Sequence, residues 1–233
     1  MDRITRSKLK TDRFAVEVEH SVEYVAEHKK QVMLYSAVGV AVALLIAGIL
    51  YYRDGQHTKR QEELAQAMEI MQAPVGAGAV PGVLYYTSET LKSAAAEKAF
   101  KAVYDKYSGT TEGTVAASYL GAISTDQGKL ADAEKYFKHV ADSGDKNYAA
   151  MGKLSLAQVQ LSTGRNGDAE KLLRSLYENP TMFVSKEQAA IALARAIAIS
   201  KPAEARKLLE PLRTERPAVS QLAITLLSEL PPQ

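Results

Sequence analysis

The stretch "DAEKYF" at 132–137 is answered 36 residues later by "DAEKLL" at 168–173. Two further near-copies flank this pair, "AAEKAF" at 95–100 and "EARKLL" at 204–209. Aligned on their alanines, Ala96, Ala133, Ala169 and Ala205 stand 37, 36 and 36 residues apart. A period in the middle thirties is the signature of stacked helix pairs, each too small to bury its apolar face without a neighbour. Every copy continues with apolar residues four and seven positions on. They are Phe100 and Val103, Phe137 and Val140, Leu173 and Leu176, and Leu209 and Leu212. That spacing places each alanine and its two followers on one helix face. Alanine leads each time, which suits a point where two helix backbones come close.

The partner helices are read from what precedes. Gly128 and Gly164 stand five residues ahead of two of the alanines, where the chain must turn tightly between paired helices. Eight residues before them come Leu120 and Leu156, followed by the small Gly121 and Ala157. "YLGAISTDQGKLADAEKYF" (119–137) thus holds a Leu-Gly pair, a turn glycine, an alanine and an aromatic in the register of the tetratricopeptide repeat, and "LAQVQLSTGRNGDAEKLL" (156–173) holds most of them. The chain resembles that family, and the resemblance implies an array of antiparallel helix pairs. The end copies depart from the pattern. Leu193 replaces the small residue, Ser200 with Pro202 replaces the turn glycine, and "PVGAGAVPGVLYY" (74–86) interrupts the first copy. Irregular ends are normal for capping units, and "AVSQLAITLLSEL" after Pro217 is expected to cover the last pair.

Ahead of the repeats, "VMLYSAVGVAVALLIAGILYY" runs from Val32 to Tyr52 without a charge. Its length corresponds to about 31 Å of helix, the hydrocarbon thickness of a bilayer. Lys29, Lys30, Arg53 and Asp54 close the ends, and Tyr35, Tyr51 and Tyr52 sit where an interfacial belt belongs. A cleavable signal peptide has a shorter apolar run, and no convincing small-residue cleavage site follows this one. The stretch is therefore expected to be an uncleaved single-pass anchor. Arg3, Arg6, Lys8, Lys10, Arg13, Lys29 and Lys30 precede it, whereas only Arg53, Lys59 and Arg60 closely follow. The positive-inside rule then puts the N-terminus in the cytoplasm and the array outside. Phe14, Val18, Val22 and Val25 recur at helical spacing within the tail, as in an interfacial helix or a frayed one.

The expected fold is all-α, with a single transmembrane helix followed by a tetratricopeptide-like array of about four helix pairs plus a capping helix. The expected divisions are a cytoplasmic tail (1–31), the span (32–52), a connecting helix and Gly/Pro loop (53–87), and the repeat domain (88–233). This layout is similar to the ancillary subunit family of the SecYEG translocon (YfgM-like). The resemblance implies a bacterial inner-membrane protein whose array faces the periplasm. Exported clients, periplasmic chaperones or translocon subunits would be its partners, or it would be a scaffold subunit of an envelope complex.

Chemistry is not suggested. The 29 Lys and Arg against 27 Asp and Glu argue against a nucleic-acid binder. The absence of cysteine excludes thiolate catalysis and Cys-based metal sites. His20, His28, His57 and His139 are scattered, and no HExxH, phosphate loop or GxSxG occurs. A non-enzyme without cofactor or metal is expected. Binding is instead assigned to the concave side, lined by first helices. The candidate residues are Val115, Ser118, Ala122 and Thr125, then Met151, Leu154, Gln158 and Leu161, then Glu187, Ala190, Ala194 and Ile197. The set is mostly small or apolar, so it suits an apolar helix or extended peptide rather than a terminal carboxylate. Alternatively, these positions pack against the chain's own N-terminal helix or the 74–86 loop.

Overall fold

The computed structural model describes residues 29–76, 82–215 and 217–231. Most of the expected tail, including Phe14–Val25, His20 and His28, lies outside the described residues, as does part of the 74–86 loop. Nine helices occur among them. They are α1 (Lys29–Gln72), α2 (Glu89–Tyr107), α3 (Thr111–Asp126), α4 (Leu130–Ala141), α5 (Lys146–Ser162), α6 (Asn166–Glu178), α7 (Lys186–Ile197), α8 (Pro202–Glu215) and α9 (Pro217–Glu229). The chain divides into two compact units, Met1–Thr58 and Lys59–Gln233.

The first unit, as far as it is described, is helical. Its Lys29–Gly48 stretch is long and apolar enough to cross a membrane, and none of it is buried within the structure. Met33, Leu34, Val38, Leu44 and Leu45 stand exposed. Apolar surface disfavours water by about 25 cal/mol per Å², so this row calls for lipid or another apolar surface around it. A signal sequence near the N-terminus meets the same criterion of length and hydropathy.

The second unit is the repeat array. Ala96, Ala133, Ala169 and Ala205 are all fully buried, and the apolar residues four and seven positions after each are buried too. These second helices (α2, α4, α6, α8) therefore carry the core-facing register that the 36-residue period predicts. The turns follow the sequence as well. Gly128 and Gly164 have φ of 72° and 78°, a left-handed conformation in which a side chain would clash. Lys129 N–H donates to the Ser124 carbonyl and Gly128 N–H to that of Thr125; Arg165 and Gly164 repeat the pattern on Gln160 and Leu161. This is the Schellman arrangement, and it satisfies carbonyls that a helix end leaves open.

Close approach explains two other glycines. A Cβ on Gly121 would sit 2.5 Å from the Phe137 ring, and one on Gly152 would strike the backbone of Val140 and Ala141. Gly121 was legible as the small residue of its repeat, whereas nothing in the local pattern singled out Gly152.

The array starts earlier than residue 88. Ala67 is fully buried and shares a cluster with Ala96, Phe100, Val103, Ala116, Leu120 and Ile123, against which Leu64, Met68, Ile70 and Met71 also pack. The Glu63 carboxylate accepts from Lys106 at 2.6 Å and from the Tyr107 hydroxyl at 3.1 Å. Sequence reading assigned 53–87 to a connecting helix and a Gly/Pro loop that interrupts the first copy. The stretch after Lys59, the connecting helix of the sequence reading, packs against α2 and α3. Pairing α1 with α2, α3 with α4, α5 with α6 and α7 with α8 gives four pairs, and α9 caps them through Ala223 and Leu226, with Leu230 just beyond it.

An ionic ladder joins successive second helices. The glutamate after each of the first three repeat alanines meets the cation that stands four residues before the next alanine. Glu97 pairs with Lys129 at 3.8 Å, Glu134 with Arg165 at 2.6 Å, and Glu170 with Lys201 at 2.6 Å. In the last copy the glutamate is replaced by Arg206, whose guanidinium donates to the Pro231 carbonyl beyond the capping helix at 3.4 Å. The charge reverses at the repeat that α9 covers.

Candidate protein-binding groove

First helices α3 and α5 lie side by side with open space between them. One hollow of about 550 Å³ is bordered by Val115, Ser118, Tyr119, Ala122, Tyr148, Met151 and Phe183. An adjoining one of about 340 Å³ shares Ser118, Ala122 and Met151 and extends past Thr125, Asp126, Ser155, Gln158 and Ser162. Because they share three lining residues, the two form one groove along α3 and α5.

Aromatic rings wall its wider end. Tyr119 is stacked on buried Phe100, centroids 4.5 Å apart with planes 5° from parallel. Tyr148 meets Phe183 edge to face at 5.2 Å and 82°. Asp145 caps α5 by accepting from Asn147 N–H at 2.8 Å and Tyr148 N–H at 3.1 Å, which fixes where Tyr148 enters the helix. Phe183 comes from the connection 179–185, held by the Met182 N–H donating to Asn147 Oδ1 at 3.2 Å and by Val184, which is 1% exposed in the core.

Four hydroxyls line the narrower end, and three of them, all but Ser155, have their protons already used. Ser118 Oγ donates to the Thr114 carbonyl at 3.1 Å, Thr125 Oγ1 to Gly121 at 2.8 Å, and Ser162 Oγ to Gln158 at 3.0 Å. A hydroxyl that gives its proton to the backbone keeps only lone pairs to offer. This end is therefore rich in acceptors, and the Asp126 carboxylate adds another.

Of the residues chosen from sequence, the structure brings Val115, Ser118, Ala122, Met151, Gln158 and Thr125 together along this groove. Leu154 is placed differently: at 8% exposure it belongs to the largest core cluster, and Leu161 packs half-buried against that cluster. Both face α6 and α7 rather than open space. Ala190, Ala194 and Ile197 are buried in the same cluster. Sequence reasoning missed Tyr119, Tyr148, Ser155, Asp126 and Phe183. The first four lie off the repeat positions selected, and Phe183 sits in a connection that has no counterpart in the other pairs. Among the described residues no cluster of three or more metal-ligating side chains occurs.

Stacked helix pairs, a 36-residue period and a groove lined by first helices define a helical-repeat protein of the kind that binds other proteins. The tetratricopeptide repeat-like domain family matches residues 25–209, more than half of the chain, and the chain belongs to it. The matched region takes in the apolar helix as well as the array. No curated protein and no solved structure matches the chain.

Proposed function

We propose that the protein is a membrane-anchored, non-enzymatic adaptor that captures polypeptide segments in the groove between α3 and α5. The observation that carries this reading is the groove itself, an open channel with aromatic walls in a family whose arrays bind proteins. Val115, Ser118, Ala122, Met151 and Gln158 are the contact residues from the sequence set, joined by Tyr119, Tyr148 and Phe183. The apolar helix within Lys29–Gly48 serves as the anchor, with the N-terminus in the cytoplasm and the array in the periplasm. The basic residues ahead of it support that orientation. The layout's resemblance to the ancillary translocon subunits extends the reading to exported proteins, or their chaperones, at the outer face of the inner membrane beside the Sec translocon.

A photo-crosslinking residue at Ala122 tests the groove in intact cells, with Lys171 on α6 as the exposed control. Crosslinks to exported proteins from position 122 and few from 171 are expected. Equal yields from the two positions would remove the groove from the reading. Cysteines at Ser7 and Ser143 test orientation with an impermeant thiol reagent, and labelling at Ser7 alone would reverse it.

A further inference from the structure

We propose that the groove takes an extended peptide carrying an apolar anchor residue and, three positions from it, a lysine or arginine. The inference rests on the reading of the groove as a protein-binding site. Asp126 is the one charged side chain bordering either hollow among the described residues. It has no hydrogen-bond or ion-pair partner among them. The aromatic end has no charge at all and offers Tyr119, Tyr148, Met151 and Phe183 to an apolar side chain. The groove is thus polarised, apolar at one end and singly anionic at the other.

Spacing follows from helix geometry. Tyr119 and Asp126 are seven residues apart on α3, a rise of about 10 Å at 1.5 Å per residue. An extended chain covers that distance in about three residues. Extension is favoured over helix by the lining between the two ends. Ser118, Thr125 and Ser162 present lone pairs, which the free N–H groups of an extended backbone can use. A helical ligand has spent its N–H groups internally. The carboxylate at Asp126 then pairs with the cation in a charge-assisted hydrogen bond.

The test uses the full chain in lipid nanodiscs and fluorescently labelled ten-residue peptides with a single leucine. A lysine is placed three positions before or after the leucine, and the matched controls carry glutamate there. One of the lysine peptides is expected to bind about tenfold more tightly than its glutamate control, a difference of about 1.4 kcal/mol. Asp126→Lys should reverse that order, and Asp126→Asn should bring the two affinities together. Asp126 is exposed at the last position of α3, where an acid opposes the helix dipole, so both variants keep the fold. Equal binding of lysine and glutamate peptides by the parent overturns the proposal. If that binding is nonetheless abolished by Ala122→Arg, the groove reading survives without the charge rule. If Ala122→Arg leaves it intact, the groove reading fails too.

Discussion

Equivalent positions of successive first helices are open in one place and filled in the next. Between α3 and α5 the residues Ser118, Ala122, Met151 and Gln158 border a groove. Between α5 and α7 the residues Leu154, Ala190, Ala194 and Ile197 are buried in one cluster. The connection into α7 accounts for part of the difference. The segment 142–145 joins α4 to α5, whereas 179–185 joins α6 to α7 and drives Val184 into the core. Its Phe183 is then left at the groove's edge. The capping helix α9 contributes Ala223 and Leu226 to the same cluster. The array thus fills the space between first helices beside the capping helix and leaves it open between α3 and α5.

Substituting the same residue type on the two sides of α3 and α4 breaks this comparison most forcefully. Ala133 is fully buried where α4 meets its neighbours, and Ala133→Glu forces an unpaired carboxylate into that contact. A loss of about 3–5 kcal/mol, or of cooperative unfolding altogether, is expected in chemical denaturation. Ala122→Glu should change stability by no more than about 0.5 kcal/mol, since the side chain points into open space. An Ala133→Glu variant as stable as the parent would show that the repeat register is misassigned.

A smaller effect separates Leu154 from Met151, three residues apart on α5. Leu154→Ala empties a buried site and should cost about 2–5 kcal/mol. Met151→Ala should leave the unfolding midpoint nearly unchanged and weaken peptide capture. Reversed effects would mean that the open and closed sides of α5 have been exchanged.

The two helices differ in how much of this was legible beforehand. The second helices repeat one motif, alanine followed by apolar residues four and seven positions on, and every such position is buried. The pattern is informative because each residue has the same task in every repeat. First helices divide their residues between their own pair, the next pair and the groove. Their periodicity located the groove positions around Ala122 and Met151 but could not tell Leu154, which faces α6 and α7, from its open neighbours. Phe183 and Val184 were invisible for a different reason: they belong to a connection, and no period constrains it. The helix from Lys59 to Gln72 was displaced from the array by the Gly- and Pro-rich loop that follows it, although Leu64, Ala67, Met68 and Met71 show helical spacing.

The ionic ladder supplies the mildest test, because its rungs differ between the open and closed steps. Glu134–Arg165 is a single pair across the open step. Across the closed step, Glu170 meets both Lys201 at 2.6 Å and Arg174 at 2.7 Å, and Arg174 reaches Glu204 at 2.7 Å. Hydrogen bonds from Lys201 and Arg174 hold the Glu170 carboxyl below its usual 4.5, and Arg174 does the same to Glu204. A carboxylate whose folded pKa is depressed stabilises the fold above its unfolded pKa and loses that contribution as pH falls through the folded value. The cations are substantially exposed, at 38% for Arg174 and 47% for Lys201, so solvent screening limits the gain to about 1 kcal/mol or less. Glu170→Gln should therefore lower stability more than Glu134→Gln at neutral pH and low salt. Its deficit should shrink as the pH drops below about 4.5 and as salt is added. Urea titrations of the parent and both variants at pH 7 and pH 3 measure this directly, and a Glu170→Gln deficit equally large at both pH values would show that its hydrogen bonds, rather than its charge, join the closed step.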